Sequence, residues 1–261
     1  KSWHIILLAK SQDGLTNLNR IVSEAHLHHF HKHPRIPRSV LQKYREGIIV
    51  GSACEAGELF RAMVAGKREG ELLKIASFYD YLEIQPIGNN AFMIREGTAK
   101  DEEALRDYNR HILALGDKLK KPVCATCDVH FLDPKDAKFR AILMAGQGFA
   151  DADQQAPLYL RTTEEMLEEF SYLGDRAEEV VIDNPNKIAD MVQGVKLFIP
   201  HPKNEVTFQP FWPDAAENVR TMAESRAREV YGDPLPDIVR ARLDKELKSI
   251  LGYGFGTLYN I

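Results

Sequence analysis

The residues best suited to chemistry are concentrated in the stretch PVCATCDVH, residues 122–130. Val123, Ala125, Thr126 and Val129 suit a packed strand, and the helix-like run before it stops at Lys120-Lys121-Pro122. Alternation along a strand places Asp128 and His130 on one side. A carboxylate and an imidazole held together at the carboxyl end of a strand can grip a divalent metal. The plainer alternative is a structural Asp–His hydrogen bond. Cys124 and Cys127 in the same stretch form a C-x-x-C. A zinc site would need two further ligands, and no second C-x-x-C exists. A redox pair usually opens a helix, where the dipole lowers the thiol pKa, whereas this one lies in an expected strand. Accidental spacing is the simpler reading.

A second group is the run HLHHFHKH, residues 26–33, which holds five of the nine histidines and precedes Arg35 and Arg38. It could bind metal or phosphate, but a solvated cluster at a helix end is the more economical reading, because metal sites need convergent geometry and supporting partners. Asp151 and Asp153 alternate as calcium-loop ligands do, yet the glycine and closing glutamate of such a loop are missing.

These residues are placed by a repeating pattern of short apolar runs and amphipathic helices. Strands are expected over 3–9, 47–54, 78–86 and 122–130, with a last one at 257–261. Helices are expected between them, the strongest over 101–119 with Leu105, Tyr108, Ile112 and Leu115 on its apolar face. Further helices are expected over 133–144, from a Thr162/Glu165 capping box to about 172, from Asn184-Pro185 to 191, over 214–230 behind an acidic N-cap, and over 237–251. The alternation β-α-β-α-β-α-β implies a largely parallel sheet or an α/β barrel, architectures that gather ligands at the carboxyl ends of strands. Cys54, Gln85, Asp128 and His130 all fall near such ends. His4 lies near the start of its strand, so an antiparallel start or a bend would be needed to bring it in. The four prolines of residues 198–213 mark an extended connector and a domain boundary.

Composition narrows the class. The 261 residues suffice for one large domain or two modest ones, and the 44% hydrophobic and 28% charged content is that of a soluble globular protein. A net charge of -4 argues against a nucleic-acid binder that uses its whole surface, while leaving room for a local basic patch. Three cysteines make no disulfide framework and suit a reducing, cytoplasmic compartment. No apolar run approaches the roughly 20 residues of a membrane span. The start at Lys1 reads as a cut within a longer protein.

The chain resembles the alpha subunit of bacterial DNA polymerase III, of the PolC type found in Gram-positive bacteria. The stretches that carry the resemblance include WHIILLAKSQDGLTNLNRIVSEAH, PRIPRSVLQKYREGIIVGSACEAGEL, YDYLEIQPIGNN and TCDVHFLDPKDAKFRAILMAGQGFADADQQAPLYL. This resemblance implies an α/β fold: residues 1–198 as the later part of a PHP (polymerase and histidinol phosphatase) domain, an incomplete distorted (βα)7 barrel, and 199–261 as a mainly helical segment with a connector and the start of the polymerase palm. It implies a PHP metal site, of zinc, manganese or iron, whose ligands map onto His4, Cys54, Asp128 and His130. Cys127 stands where the family commonly has glycine. The family's early motifs (His-x-His, Asp-His and a Glu) and its exonuclease lie upstream, and the palm aspartates downstream, so none of them is in this chain and it holds no complete catalytic set. The implied function is that of a fragment of a replicative DNA-directed DNA polymerase. Its PHP portion would act as a metal-binding structural module bracing the palm. The alternative is metal-dependent phosphoesterase or 3'-5' exonuclease activity. The parent protein would use magnesium, DNA and deoxynucleotides, and would meet a sliding clamp and other replisome subunits.

Overall fold

The computed structural model describes residues 2–197 and 212–261. Most of the expected proline-rich connector therefore lies outside the described residues. The chain divides into two compact units, 1–197 and 198–261.

The first unit is mixed α/β and rich in helix. Its elements run β1 (Ile6–Ala9), α1 (Gln12–Leu27), β2 (Phe30–His31), β3 (His33–Pro34), α2 (Arg38–Lys43), β4 (Ile48–Gly51), α3 (Glu58–Val64), α4 (Glu69–Ala76), β5 (Leu82–Ile84), α5 (Phe92–Arg95), α6 (Glu102–Leu119), β6 (Val123–Ala125), α7 (Ala137–Gly146), α8 (Thr163–Glu169), α9 (Arg176–Glu178) and α10 (Asn184–Asp190). The expected strands are present but shorter than the sequence pattern suggests. Nor is the array wholly parallel. β1 pairs antiparallel with β4, β5 pairs parallel with β6, and a parallel bridge from Gly51 to Tyr81 links the two pairs. That link is tightened by Asp80, whose backbone N–H donates to Val50 O at 2.7 Å while its carboxylate accepts from Val50 N at 2.7 Å.

A close backbone contact accompanies the antiparallel start. Ser11 caps α1 immediately after β1, accepting from Gly14 N. Gly14 then lies directly against Gly47: a Cβ on Gly14 would stand 1.9 Å from Gly47 O. Lys10 N also donates to Gly47 O at 2.9 Å. The end of β1 is thus locked to the beginning of β4 by a contact that only glycine permits.

The core fills the space between these strands and their helices. Ile21, Leu59, Leu72, Leu82, Ile112, Leu115 and Phe170 are almost fully enclosed. α6 lies across it, capped by Asp101, and buries Leu105, Ile112 and Leu115 as its periodicity predicts. Tyr108 is half-buried, edge-on to Phe60 with ring centroids 5.5 Å apart. The capping box of α8 is present: Glu165 N donates to Thr162 Oγ1 and Thr162 N to Glu165 Oε2.

The second unit, over its described residues, is α11 (Ala215–Tyr231), α12 (Asp237–Gly252) and α13 (Gly256–Asn260). Two expectations are corrected here. Residues 257–260 are helical, not a strand, and Ile261 caps them: Tyr259 N donates to Phe255 O and Ile261 N to Thr257 O. With no strand beside them among the described residues of this unit, their β-forming side chains have no ladder to join. Asp214 flanks α11 but makes no side-chain cap, because its backbone is left-handed with φ 60°.

Candidate metal-ligand cleft

The residues singled out by sequence come together as two pairs. His4 Nδ1 lies 3.5 Å from Cys54 Sγ. The antiparallel register of β1 and β4 sets Ile6 opposite Gly51, so the residues just before one strand meet those just after the other. The turn 52–57 completes the approach. Ala53 takes a left-handed conformation, Gly57 N donates to Cys54 O, and His4 N donates to Ala56 O at 3.1 Å. The antiparallel start that His4 required is therefore the arrangement found.

In the second pair, His130 Nε2 lies 3.4 Å from Asp128 Oδ1. The pair does not arise from strand alternation. β6 ends at Ala125, and Asp128 is left-handed with φ 57°. A bound loop does the positioning instead. Asn89 Nδ2 donates to Cys127 O at 3.1 Å, and His130 N donates to Leu158 O at 2.8 Å. Behind the loop, Arg161 is nearly sealed from solvent. It donates to Pro157 O, to Glu169 Oε1 and to Cys127 Sγ, and it stacks 4.3 Å above the Tyr159 ring. Cys127, whose Sγ donates to Tyr159 O at 3.2 Å, is thus an anchor of the Asp128 turn. Cys124 points into a separate apolar cluster with Ile49, Tyr81 and Ile188, where burial pushes its thiol up to about 12. Both cysteines are free thiols in unlike surroundings.

His4, Cys54 and Asp128 line one open cleft of about 1410 Å³, together with Glu83, Gln85 and Thr126. Gln85 was expected near a ligand-gathering strand end, whereas Glu83 and Thr126 had no expected place in the site. Thr126 Oγ1 donates to Glu83 Oε1 at 2.7 Å and Gln85 Nε2 to the same oxygen at 3.3 Å. Burial raises the Glu83 carboxyl above its ordinary range, against the opposing effect of those two hydrogen bonds. Gln85 Oε1 is buried without a partner. The available signal was a carboxylate placed between Leu82 and Ile84, where an apolar strand has no use for one.

Imidazole, thiol and carboxylate are the donor types that hold zinc, iron or manganese, so the chemistry of the donors fits a metal. Their number does not. Among the described residues no three His, Cys, Asp or Glu side chains converge closely enough to form a metal centre. Burial pushes the Cys54 thiol up to about 12, so it is held as the neutral thiol by its surroundings. This chain therefore presents two donor pairs and not a finished site.

The PHP domain family model matches residues 1–86. Along its whole length the chain is similar to one segment of PolC-type DNA polymerase III. It is 56% identical over 259 residues to that protein from Clostridium perfringens, covering 99% of this chain and 18% of the relative. The corresponding values for the protein from Caldanaerobacter subterraneus are 54% over 260 residues, 99% and 18%. For Bacillus subtilis they are 44% over 265 residues, 100% and 18%. The chain thus spans about a fifth of the length of the curated relatives it matches. No helix among the described residues is long and apolar enough to cross a membrane.

Proposed function

We propose that this chain is part of a cytoplasmic replicative DNA-directed DNA polymerase, in which residues 1–198 serve as a metal-binding structural module of PHP type and 199–261 begin the palm it braces. The similarity along the whole chain to PolC-type polymerases carries this reading. The donors give it a chemical basis: His4, Cys54 and Asp128 line one cleft, with His130 beside Asp128, and the four would supply part of a zinc, manganese or iron site that donors from outside this chain complete. The parent protein would act on DNA and deoxynucleotides with magnesium and would work beside a sliding clamp and other replisome subunits.

A second reading is favoured by the openness of the cleft, which leaves room for a phosphate ester beside the donors. It is a metal-dependent phosphoesterase or 3'-5' exonuclease, in which a metal would supply an activated water. Metal analysis and a phosphoesterase assay on the 261-residue chain separate the two. The structural reading expects no turnover, and metal uptake that falls in Asp128→Ala. Metal-dependent turnover abolished by Asp128→Ala would overturn it in favour of hydrolysis.

A further inference from the structure

We propose that the outward face of α7, the stripe of Phe139, Ile142 and Leu143, seats an apolar helix from the part of the same polypeptide that lies outside these 261 residues, a step that rests on reading the chain as part of a longer polymerase.

α7 is amphipathic the wrong way round. Its inward residues Ala137, Arg140, Ala141 and Met144 are half-buried, and polar contacts hold them: Arg140 Nη1 donates to Gln155 Oε1 at 2.6 Å, and Gln155 Nε2 lies 3.3 Å from Met144 Sδ. Phe139, Ile142 and Leu143, at the i, i+3, i+4 spacing of one helix face, are each more than half exposed. A surface helix normally turns its apolar stripe to the core, so this stripe is built for a cover that the described residues do not supply. Gly146 continues the same stripe, seven residues beyond Phe139. A Cβ there would meet nothing within 4 Å. Glycine weakens a helix, and nothing within the chain calls for one at this position; it leaves a notch that a crossing helix can enter.

The stripe also restricts its occupant. It offers no free backbone groups, so an extended segment laid on it would have its own N–H and C=O groups unpaired, whereas a helix satisfies them internally. Three side chains and a glycine cover far less than the roughly 800 Å² per partner of a stable association between free proteins. A segment of the same polypeptide is held at high effective concentration and can dock on so small a face. Such a segment has ample source: the matched relatives carry this region as 18% of their length.

The test is maleimide labelling of Leu143→Cys in the 261-residue chain and in the full-length polypeptide that contains it. Mass spectrometry of the tryptic peptide 141–161, which holds no native cysteine, reads the rate at this position alone. Labelling should be slower in the full-length polypeptide by on the order of tenfold or more, at a rate independent of protein concentration. Adding Gly146→Leu should leave the rate unchanged in the 261-residue chain, where the new side chain enters open space. In the full-length polypeptide it should raise the rate by about fivefold or more, because the notch is filled and the cover displaced. Unchanged thermal unfolding of the variants in the 261-residue chain checks that its fold is intact. Equal rates in the two polypeptides overturn the proposal. So does protection that dilution removes, which makes a second copy the occupant, and so does a Gly146→Leu without effect in the full-length polypeptide. Primer extension measured alongside keeps the two readings apart. Extension with equal labelling rates sinks this proposal alone, and protection without extension sinks the polymerase reading alone.

Discussion

His4 and Cys54 are 50 residues apart in sequence and meet because two strands are locked in antiparallel register. Asp128 and His130 are two residues apart and meet because a loop is pinned from behind. The first pair depends on tertiary structure that can be lost as a whole. The second depends on a turn that can be loosened locally while the core survives. Substitutions that strike one support and spare the other should separate them.

The largest effect is expected at Gly14. A Cβ there meets Gly47 O, a backbone atom that cannot swing aside. Gly14→Ala should cost about 3 kcal/mol, at the upper end of overpacking penalties, and the displaced register should carry His4 away from Cys54. Urea unfolding measures the first, and a thiol-reactivity assay of Cys54 the second. An unchanged midpoint with unchanged reactivity would show that the glycine contact does not set the register.

Arg161 is the corresponding support for the second pair. Arg161→Met keeps the bulk of the side chain and removes its hydrogen bonds to Pro157 O, Glu169 and Cys127. A loss of about 2 kcal/mol is expected, in the range for hydrogen bonds to a charged group. In a unit of this size that corresponds to a fall of about 4–8 °C in melting temperature. Hydrogen exchange should speed up at His130 N, which is held by Leu158 O, and stay unchanged in β1 and β4. Equal acceleration in both regions would show that the two supports are not independent.

The contrast also explains what the sequence could disclose. Helix α6 was legible because its apolar residues repeat at 3.6-residue spacing and Asp101 marks its start, both local facts. The Asp-x-His pair was legible for a similar reason, although through the wrong intermediate: the residues are adjacent because of a left-handed turn at Asp128, not strand alternation. The His4–Cys54 contact was not derivable from pattern. It depends on the antiparallel pairing of β1 with β4, in which Gly14 lies against Gly47, 33 positions along the chain. Burial was equally hidden. α7 reads as an apolar helix, yet none of its residues is buried, and Ile142 and Leu143 are each 67% exposed. Residues 257–260 show the reverse error, where β-forming side chains found no partner strand and took the helix that local hydrogen bonds allow.

A subtler separation lies within the Asp128 turn itself. At φ 57° a β-branched side chain is strained, whereas asparagine tolerates the conformation well. Asp128→Val should therefore be less stable than Asp128→Asn by about 1–2 kcal/mol. Equal melting temperatures for the two variants would mean that the loop relaxes without its left-handed residue.

The smallest effect is expected from the Asp128–His130 contact alone. Asp128 and His130 are each 44% exposed at the side chain, so water screens their attraction and competes for both groups. His130→Ala should shift stability by no more than about 0.5 kcal/mol. The loop does not need the imidazole, because His130 is held through its backbone N–H, which alanine retains. A pair that adds so little to folding, on a loop fixed by other residues, is free to serve a ligand. A loss of 2 kcal/mol or more on His130→Ala would instead make the imidazole part of the scaffold and weaken its claim as a metal donor.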